Sequence, residues 1–274
     1  MPRLSIIVVT YNSRTEIDET LRALRHPRPR TDHEIVVVDN ASADGTSSHV
    51  RAAWAGIRVI DSGANLGFAA ANNLGIRQTA SELVLLLNPD TRATGIAVDQ
   101  LVAGLDARPD AAIIGPRIVD ARGHAELSFG SMISPLAELK QTMLVAGSTR
   151  QLPVLSTIVD WMTRHTRQVD WVSGACLMIR RADLDAAGLF DERFFMYTED
   201  VDLCAAVRAR GSSVVFLADA QIEHLRGRSV STARRPTAIA YRRSQLAFYE
   251  KHHPRWVPIL RAYLKIRGRL PDNR

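Results

Sequence analysis

A doubly wound α/β fold with a mostly parallel sheet is what this 274-residue chain predicts. Three observations carry that expectation. First, SIIVVTY (5–11), EIVVVDN (34–40) and ELVLLLNPD (82–90) are unbroken apolar runs, the pattern of parallel strands covered on both faces. Second, helical periodicity lies between them, in TEIDETLRALR after the first run and through Ala70–Thr79 before the third. Third, the runs end in polar residues, Thr10-Tyr11-Asn12, Asp39-Asn40 and Asn88-Pro89-Asp90, and open α/β sheets bind ligands at such strand ends.

The remaining elements follow in order. IRVI (57–60) reads as a short strand and AAIIGPRIVD (111–120) as a strand and turn. From Ser131 to Asp170 the signal weakens; LAELKQTMLVAG and LPVLSTIVDWM suggest a mobile or helical insertion on the substrate side. WVSGACLMIRR (171–181) is strand-like again, VDLCAAVRAR reads as a helix stopping at Gly211, and VVFLADAQIEH (214–224) is a late strand ending in histidine.

The length suits one large domain or two fused halves. Cys176 and Cys204 lie in apolar surroundings and match no metal spacing, so they are expected as reduced core residues of a cytoplasmic protein. MPRLSIIVVTYN has too short an apolar run for a signal peptide and lacks a small-residue cleavage site, so it reads as a strand. Nothing approaches the roughly 18 apolar residues of a membrane span. The net charge of +6 hides an asymmetry: residues 225–274 hold 13 Lys and Arg against 2 Asp and Glu, leaving 22 against 27 in residues 1–224. A basic tail on an acidic body suits an anionic surface near the tail. Nucleic acid is disfavoured, because the basic residues lack interleaved aromatics on a sheet face.

No GxGxxG or Walker loop follows the first strand, which argues against a nicotinamide dinucleotide fold and a P-loop NTPase. DNASADGT (39–46) puts Asp39 where it could accept a hydrogen bond from a pyrimidine imide, though the same run is an ordinary turn sequence. NLGFAAANNLGI (65–76) offers Asn65, Gly67 and Asn72 beside a helix start, suited to ribose or phosphate oxygens, or else to close helix packing. LLLNPDT (85–91) sets Asp90 at the mouth of a buried strand, either as a turn residue or to hold a divalent cation bridging a diphosphate. In IEHLRGRS, His224 is followed by Arg226 and Arg228, which either neutralise phosphate or form a solvated basic loop. FFMYTEDVDLC (194–204) places Glu199, Asp200 and Asp202 directly behind Phe194, Phe195, Met196 and Tyr197. Lost hydration there would raise a carboxylate's pKa and suit it to act as a base. The alternative is a plain helix start, with Thr198 as N-cap and acids matching the dipole.

Taken in order, SIIVVTYNS, VVVDNASADGT, NLGFAAANN, LLLNPDT, WVSGACLMIRR, FDERFFMYTEDVDLC and IEHLRGRS resemble family 2 of the inverting glycosyltransferases, most nearly the bacterial rhamnosyltransferase group, across about residues 4–230. The resemblance implies an A-type glycosyltransferase fold, doubly wound with abutting nucleotide-binding and acceptor-binding halves, and a nucleotide-sugar donor. By it, Thr10, Tyr11 and Asp39 line the nucleobase pocket, with Asn12 and Gly67 also on the donor side and Asn65 and Asn72 near the ribose or sugar. Asp90 corresponds to the last acid of the family's DxD metal motif and His224 to a further ligand of a divalent cation, Mg2+ or Mn2+. Asn88 departs from the pattern, standing where many relatives have the first acid. Asp200 corresponds to the catalytic base, with Glu199 beside it, while Trp171 and Tyr197 fall on the acceptor side and Arg226 and Arg228 near the diphosphate.

Residues 1–120 are thus expected to bind the nucleotide sugar, 121–230 to bind acceptor and carry catalysis, and 231–274 to form a basic amphipathic helical segment. In that segment Trp256, Ile259, Leu260, Tyr263, Leu264 and Leu270 share one helical face, with Arg261, Lys265 and Arg269 on the other. The pattern fits an interfacial helix on the inner face of the cell membrane and equally a helix docked on the protein's own core. The expected activity is inverting transfer of a sugar, L-rhamnose from dTDP-L-rhamnose, to a cell-envelope glycan or polyprenyl-linked acceptor. A UDP-sugar donor and a non-catalytic carbohydrate- or membrane-binding module are the alternatives.

Overall fold

The computed structural model describes residues 1–225 and 234–271. In chain order the first half comprises β1 (Leu4–Thr10), α1 (Ile17–Arg25), β2 (His33–Asp39), α2 (Thr46–Ala53), β3 (Arg58–Asp61), α3 (Gly67–Arg77), β4 (Leu83–Leu87), β5 (Thr91–Arg92), α4 (Gly95–Asp106) and β6 (Ala111–Val119). There follow β7 (Ala125–Glu126), β8 (Phe129–Gly130), α5 (Pro135–Thr149), α6 (Pro153–Met162), β9 (Arg167–Val169), β10 (Trp171–Val172), β11 (Cys176–Arg180) and α7 (Arg181–Ala187). The chain continues through α8 (Glu199–Ala209), β12 (Ser213–His224), α9 (Arg234–His252), a 3₁₀ turn at Pro254–Trp256, and α10 (Val257–Ile266).

The main sheet runs β3-β2-β1-β4-β11-β6-β12-β5. β1 lies at its heart, parallel to β2 with Thr10 opposite Asp39, and parallel to β4 with Val8 opposite Leu87. The unbroken apolar runs have a direct cause. Leu4, Ile6 and Val8 face one core cluster while Ile7 and Val9 face the other, so both sides of each strand are covered. On α1 the buried residues Ile17, Thr20, Leu21 and Leu24 recur at helical spacing, and α3 packs close because Gly75 leaves room for Ile7 and Val38.

Two expectations need correction, and a third is narrowed. WVSGACLMIRR is not one strand. It breaks at residues 173–175, so that Trp171 and Val172 pair with β8 in a small separate sheet, while Cys176–Arg180 enters the main sheet antiparallel to β4 and β6. The insertion at 131–170, expected as mobile or helical, takes the helical form over α5 and α6, each opened by proline in its first turn, with Ser134 capping α5 through the Ala137 amide. Thr198 occupies the N-cap position of α8 without capping it through its side chain: its φ is +65°, and its hydroxyl donates to the Ser244 carbonyl instead of accepting a helix amide.

The tail helix divides its apolar residues between two environments. Leu264 is buried, and Val257 and Leu260 pack on a cluster of Phe194, Val201, Phe248 and Tyr249, whereas Trp256, Ile259, Tyr263 and Leu270 face outward. α9 fastens this end to α8: Lys251 and His252 reach Asp202 at 2.8 and 2.7 Å, and the Ser244 hydroxyl donates to the Met196 carbonyl at 2.7 Å. Among the described residues no helix is long and apolar enough to cross a membrane.

Candidate active site

The carboxyl ends of β1, β2 and β4 meet at one edge of the sheet. At the β1–β2 end, Asp39 is buried; its Oδ1 accepts the Thr10 hydroxyl at 3.0 Å and its Oδ2 the Ser42 amide at 3.0 Å. The carboxylate is therefore held in one orientation, with lone pairs left for a ligand. Tyr11 next to it is half exposed. Asn12 adopts φ +52°, and its side-chain oxygen accepts the Ala43 amide at 2.8 Å, tying the β1 loop to the turn after β2.

A second wall comes from the start of α3. Asn40 accepts the Leu66 amide and donates to Asn65 and to the Gly67 carbonyl, which fixes the loop carrying both. Gly67 has φ +81°, and a Cβ there would lie 2.3 Å from the Phe195 carbonyl oxygen. Only glycine lets the Phe68 amide donate to that carbonyl, at 2.7 Å. Asn72 is buried and donates to the Phe68 carbonyl within α3, so it braces this wall and does not open onto the cleft.

Asp200 stands in the second turn-residue position of α8, next to Glu199. Its Oδ2 accepts the Gly174 amide at 2.7 Å and its Oδ1 the Val201 amide at 2.8 Å. The broken strand thereby explains itself: Gly174 is the point where the backbone turns toward the carboxylate, and a Cβ on it would sit 3.3 Å from the Asp200 Cβ. One residue on, the Ala175 carbonyl accepts the Asn88 amide at 3.0 Å and the Thr91 hydroxyl at 3.4 Å. Asp200 is thus joined through two consecutive residues to the turn that carries Asn88 and Asp90.

Burial raises the pKa of Asp200, opposed by the amides that hold its ionised form. For Glu199, which is 6% exposed, burial and then the neighbouring Asp200 charge push the pKa well above the ordinary glutamate value. Its Oε2 has no hydrogen-bond partner in the protein. The two acids thus differ in setting: burial and the Asp200 charge favour the neutral form of Glu199, while two backbone amides favour the ionised form of Asp200.

The other side of the turn is set by the β5–β12 pairing, which puts His224 opposite Thr91. His224 Nε2 lies 3.2 Å from Asp90 Oδ1 and its Nδ1 lies 3.4 Å from Glu126 Oε2. Burial alone would depress the imidazole, but the two carboxylates outweigh it and lift its pKa to about 9. Once Nε2 gives up its proton, the imidazole and the neighbouring carboxylate could serve together as donors to a divalent cation, with Glu126 on the remote nitrogen orienting the ring. Among the described residues no three such side chains converge as a full cage, so water and substrate oxygens would have to complete one.

On the far side, Trp171 packs against Gly130 and donates its indole N–H to the Ser131 carbonyl at 2.9 Å. Tyr197, at φ +72°, packs edge-on against Tyr241 with ring centres 5.7 Å apart. Arg226 and Arg228 lie outside the described residues. A cavity of about 660 Å³ is lined by Arg22, Arg92, Asp120 and Glu223, and Glu223 points to the opposite face of β12 from His224. Its Arg92 is already paired with Glu19 and Glu223. Asn40, Glu126 and Gly174 were missed by sequence reasoning. Asn40 alone left a signal there, as a polar residue at a strand end.

The glycosyl transferase family 2 profile matches residues 5–151. Among curated proteins, N-acetylglucosaminyl-diphospho-decaprenol L-rhamnosyltransferase of Mycobacterium tuberculosis is 28% identical, the alignment covering 99% of this chain and 95% of that one. Low-salt glycan biosynthesis hexosyltransferase Agl10 of Haloferax volcanii is 31% identical over 77% of this chain and 63% of its own length. Of solved structures, the mannosyltransferase PcManGT from Pyrobaculum calidifontis, in complex with GDP-Man and Mn2+, superposes with a TM-score of 0.63 at 21% identity, covering 96% of this chain and 69% of that one.

Proposed function

The chain belongs to glycosyl transferase family 2 and has the A-type glycosyltransferase fold, and from that premise we propose that it transfers L-rhamnose from dTDP-L-rhamnose, with inversion, to a saccharide carried on a polyprenyl diphosphate. That it is a glycosyltransferase, resembling rhamnosyltransferases, follows from the family and from the 28% identical relative of that name. The proposal adds the donor, the acceptor, the stereochemistry and the residue roles. The observation that supports it is the short hydrogen-bonded path from Asp200 through Gly174 and Ala175 to the Asn88–Asp90 turn, as expected if Asp200 is the base and that turn meets the diphosphate.

In this reading residues 1–120 hold the nucleotide, residues 121–230 complete the acceptor side, and the basic segment from 231 lies next to it. Asp39, oriented by Thr10 and Ser42, accepts the imide N–H of thymine, while Tyr11 covers the ring. Asn65 and Gly67 border the ribose and sugar, and the sequence assigns Arg226 and Arg228, which lie outside the described residues, to the diphosphate. Asp90 and His224 would hold Mg2+ or Mn2+, and the set fits, a hard oxygen beside a ring nitrogen at 3.2 Å. Such a cation, when bound, supplies positive charge against the departing diphosphate.

Asp200 takes the proton of the acceptor hydroxyl as its oxygen attacks the anomeric carbon from the face opposite the diphosphate. The bond from that carbon to the diphosphate oxygen breaks, and dTDP leaves. The raised pKa of Glu199 favours carrying the pair's negative charge on Asp200, which two backbone amides orient. Trp171 and Tyr197 offer the acceptor sugar an apolar surface.

Incubation with dTDP-rhamnose, a panel of UDP-sugars and a polyprenyl diphosphate-linked N-acetylglucosamine, followed by mass spectrometry of the lipid product, tests this. A rhamnosylated lipid from dTDP-rhamnose alone is expected. Transfer only from a UDP-sugar would overturn the donor, and binding without turnover would leave a non-catalytic module.

A further inference from the structure

Twelve of the eighteen large apolar side chains exposed among the described residues fall in two segments, 135–162 and 256–270. On α5, Leu136, Leu139 and Met143 recur at i, i+3 and i+7 on one helical face, Leu136 being 81% exposed. The stripe leads toward Gly147, where Leu155 of α6 packs against the helix backbone, and α6 in turn leaves Val154, Ile158 and Trp161 exposed. On α10 and the turn before it, Trp256, Ile259, Tyr263 and Ile266 form a second stripe, with Ile266 at 85%.

Though far apart in sequence, the two segments are neighbours. Tyr249 and Gln245 of α9 both donate to Glu138 in the first turn of α5, and His253 Nε2 meets the Ile133 carbonyl at 2.7 Å. Val257 and Leu260 pack on the same Phe248–Tyr249 cluster as Met132 and Ile133. Basic residues frame the stripes: Lys140 on α5, then Arg255, Lys265, Arg267 and Arg269 around α10, all exposed. An anionic bilayer takes aliphatic side chains at the acyl boundary, Trp and Tyr rings at the headgroups and basic groups against the phosphates.

We propose that the α5–α6 hairpin and α10 together form one docking surface for an anionic phospholipid bilayer. α9, bonded to Glu138 on one side and to Met196 and Asp202 beside Asp200 on the other, joins this surface to the helix that carries Asp200. The proposal deepens the reading of a polyprenyl-linked acceptor, since it brings the cleft to where such a lipid resides.

The test is co-sedimentation of the full chain with vesicles of phosphatidylglycerol and cardiolipin, or of phosphatidylcholine alone, without donor or acceptor. Failure of the acceptor reading and failure of the docking surface are therefore separate results. The parent should bind the anionic vesicles at least tenfold more tightly than the neutral ones, and 0.5 M salt should weaken that binding. The triple variant Leu136→Glu, Leu139→Glu, Met143→Glu and the double variant Ile259→Glu, Ile266→Glu should each lose at least tenfold, with dTDP affinity and melting temperature unchanged. These positions are exposed, so the core is left intact. Parental binding by the α5 variant would overturn the joint surface. So would equal binding to neutral vesicles, or an absence of vesicle binding with a dimer in analytical ultracentrifugation that both variants dissociate.

Discussion

Replacing Asp200 by Asn removes the proposed proton acceptor while keeping its size, and the structure shows what else it disturbs. Both carboxylate oxygens accept backbone amides, from Gly174 at 2.7 Å and from Val201 at 2.8 Å. An Asn side chain has one oxygen, so one of the two amides would then face an N–H group. Leaving a buried donor unmatched costs about 1–3 kcal/mol, offset in part because a buried charge is no longer required. The melting temperature should therefore fall by a few degrees at most, roughly what 1 kcal/mol produces in a chain of this size. The rate effect is larger. A positioned base contributes ~10²–10⁴-fold, or about 3–5 kcal/mol of barrier. Steady-state kinetics with donor and acceptor, alongside calorimetric titration with dTDP, should show kcat reduced by that factor with dTDP affinity within about threefold of the parent. The parent's kcat should also rise with pH through an apparent pKa above the ordinary aspartate value, since burial raises that of Asp200 and turnover needs the ionised form. The variant should lack this limb. A kcat within about threefold of the parent, in a folded variant that binds dTDP, would refute the assignment of Asp200 as base.

Further outcomes follow from the same geometry. Glu199 has its folded pKa raised, so stability is greatest below its unfolded pKa and is lost as pH rises through the folded one; Glu199→Gln should melt higher than the parent near pH 7, with the gain vanishing near pH 4 in parallel thermal scans. Gly174→Ala adds a Cβ 3.3 Å from the Asp200 Cβ and 3.4 Å from its Oδ2. Displacing the carboxylate by a few tenths of an ångström should lower kcat about tenfold with the donor KM unchanged, and an equal loss in KM would assign Gly174 to donor binding instead. Asp90→Ala should abolish the Mg2+ or Mn2+ dependence of dTDP binding measured by titration, and a retained metal response would remove Asp90 from the cation site.

The parallel sheet was legible because its cause is local: strands buried on both faces must be apolar along their central stretch, and IIVV, IVVV and LVLLL are. Polar residues at those strand ends, and the acids behind FFMYT, were legible for the same reason, since each stands out against its immediate neighbours. Tertiary structure alone decided what those residues meet. Glu126 reaches His224 across 98 positions of chain, and Gly174 reaches Asp200 across 26, pairings that no periodicity records because they depend on which strands adjoin. The break in WVSGACLMIRR is likewise set by the Asp200 carboxylate and the β4 turn. In the tail helix, sequence sets the amphipathic spacing, but the Phe194–Phe248–Tyr249 cluster determines that Val257 and Leu260 dock while Ile259 and Tyr263 stay exposed. A hydrophobic face wider than the groove beneath it can be only partly covered, and the width of that groove is a property of the folded chain.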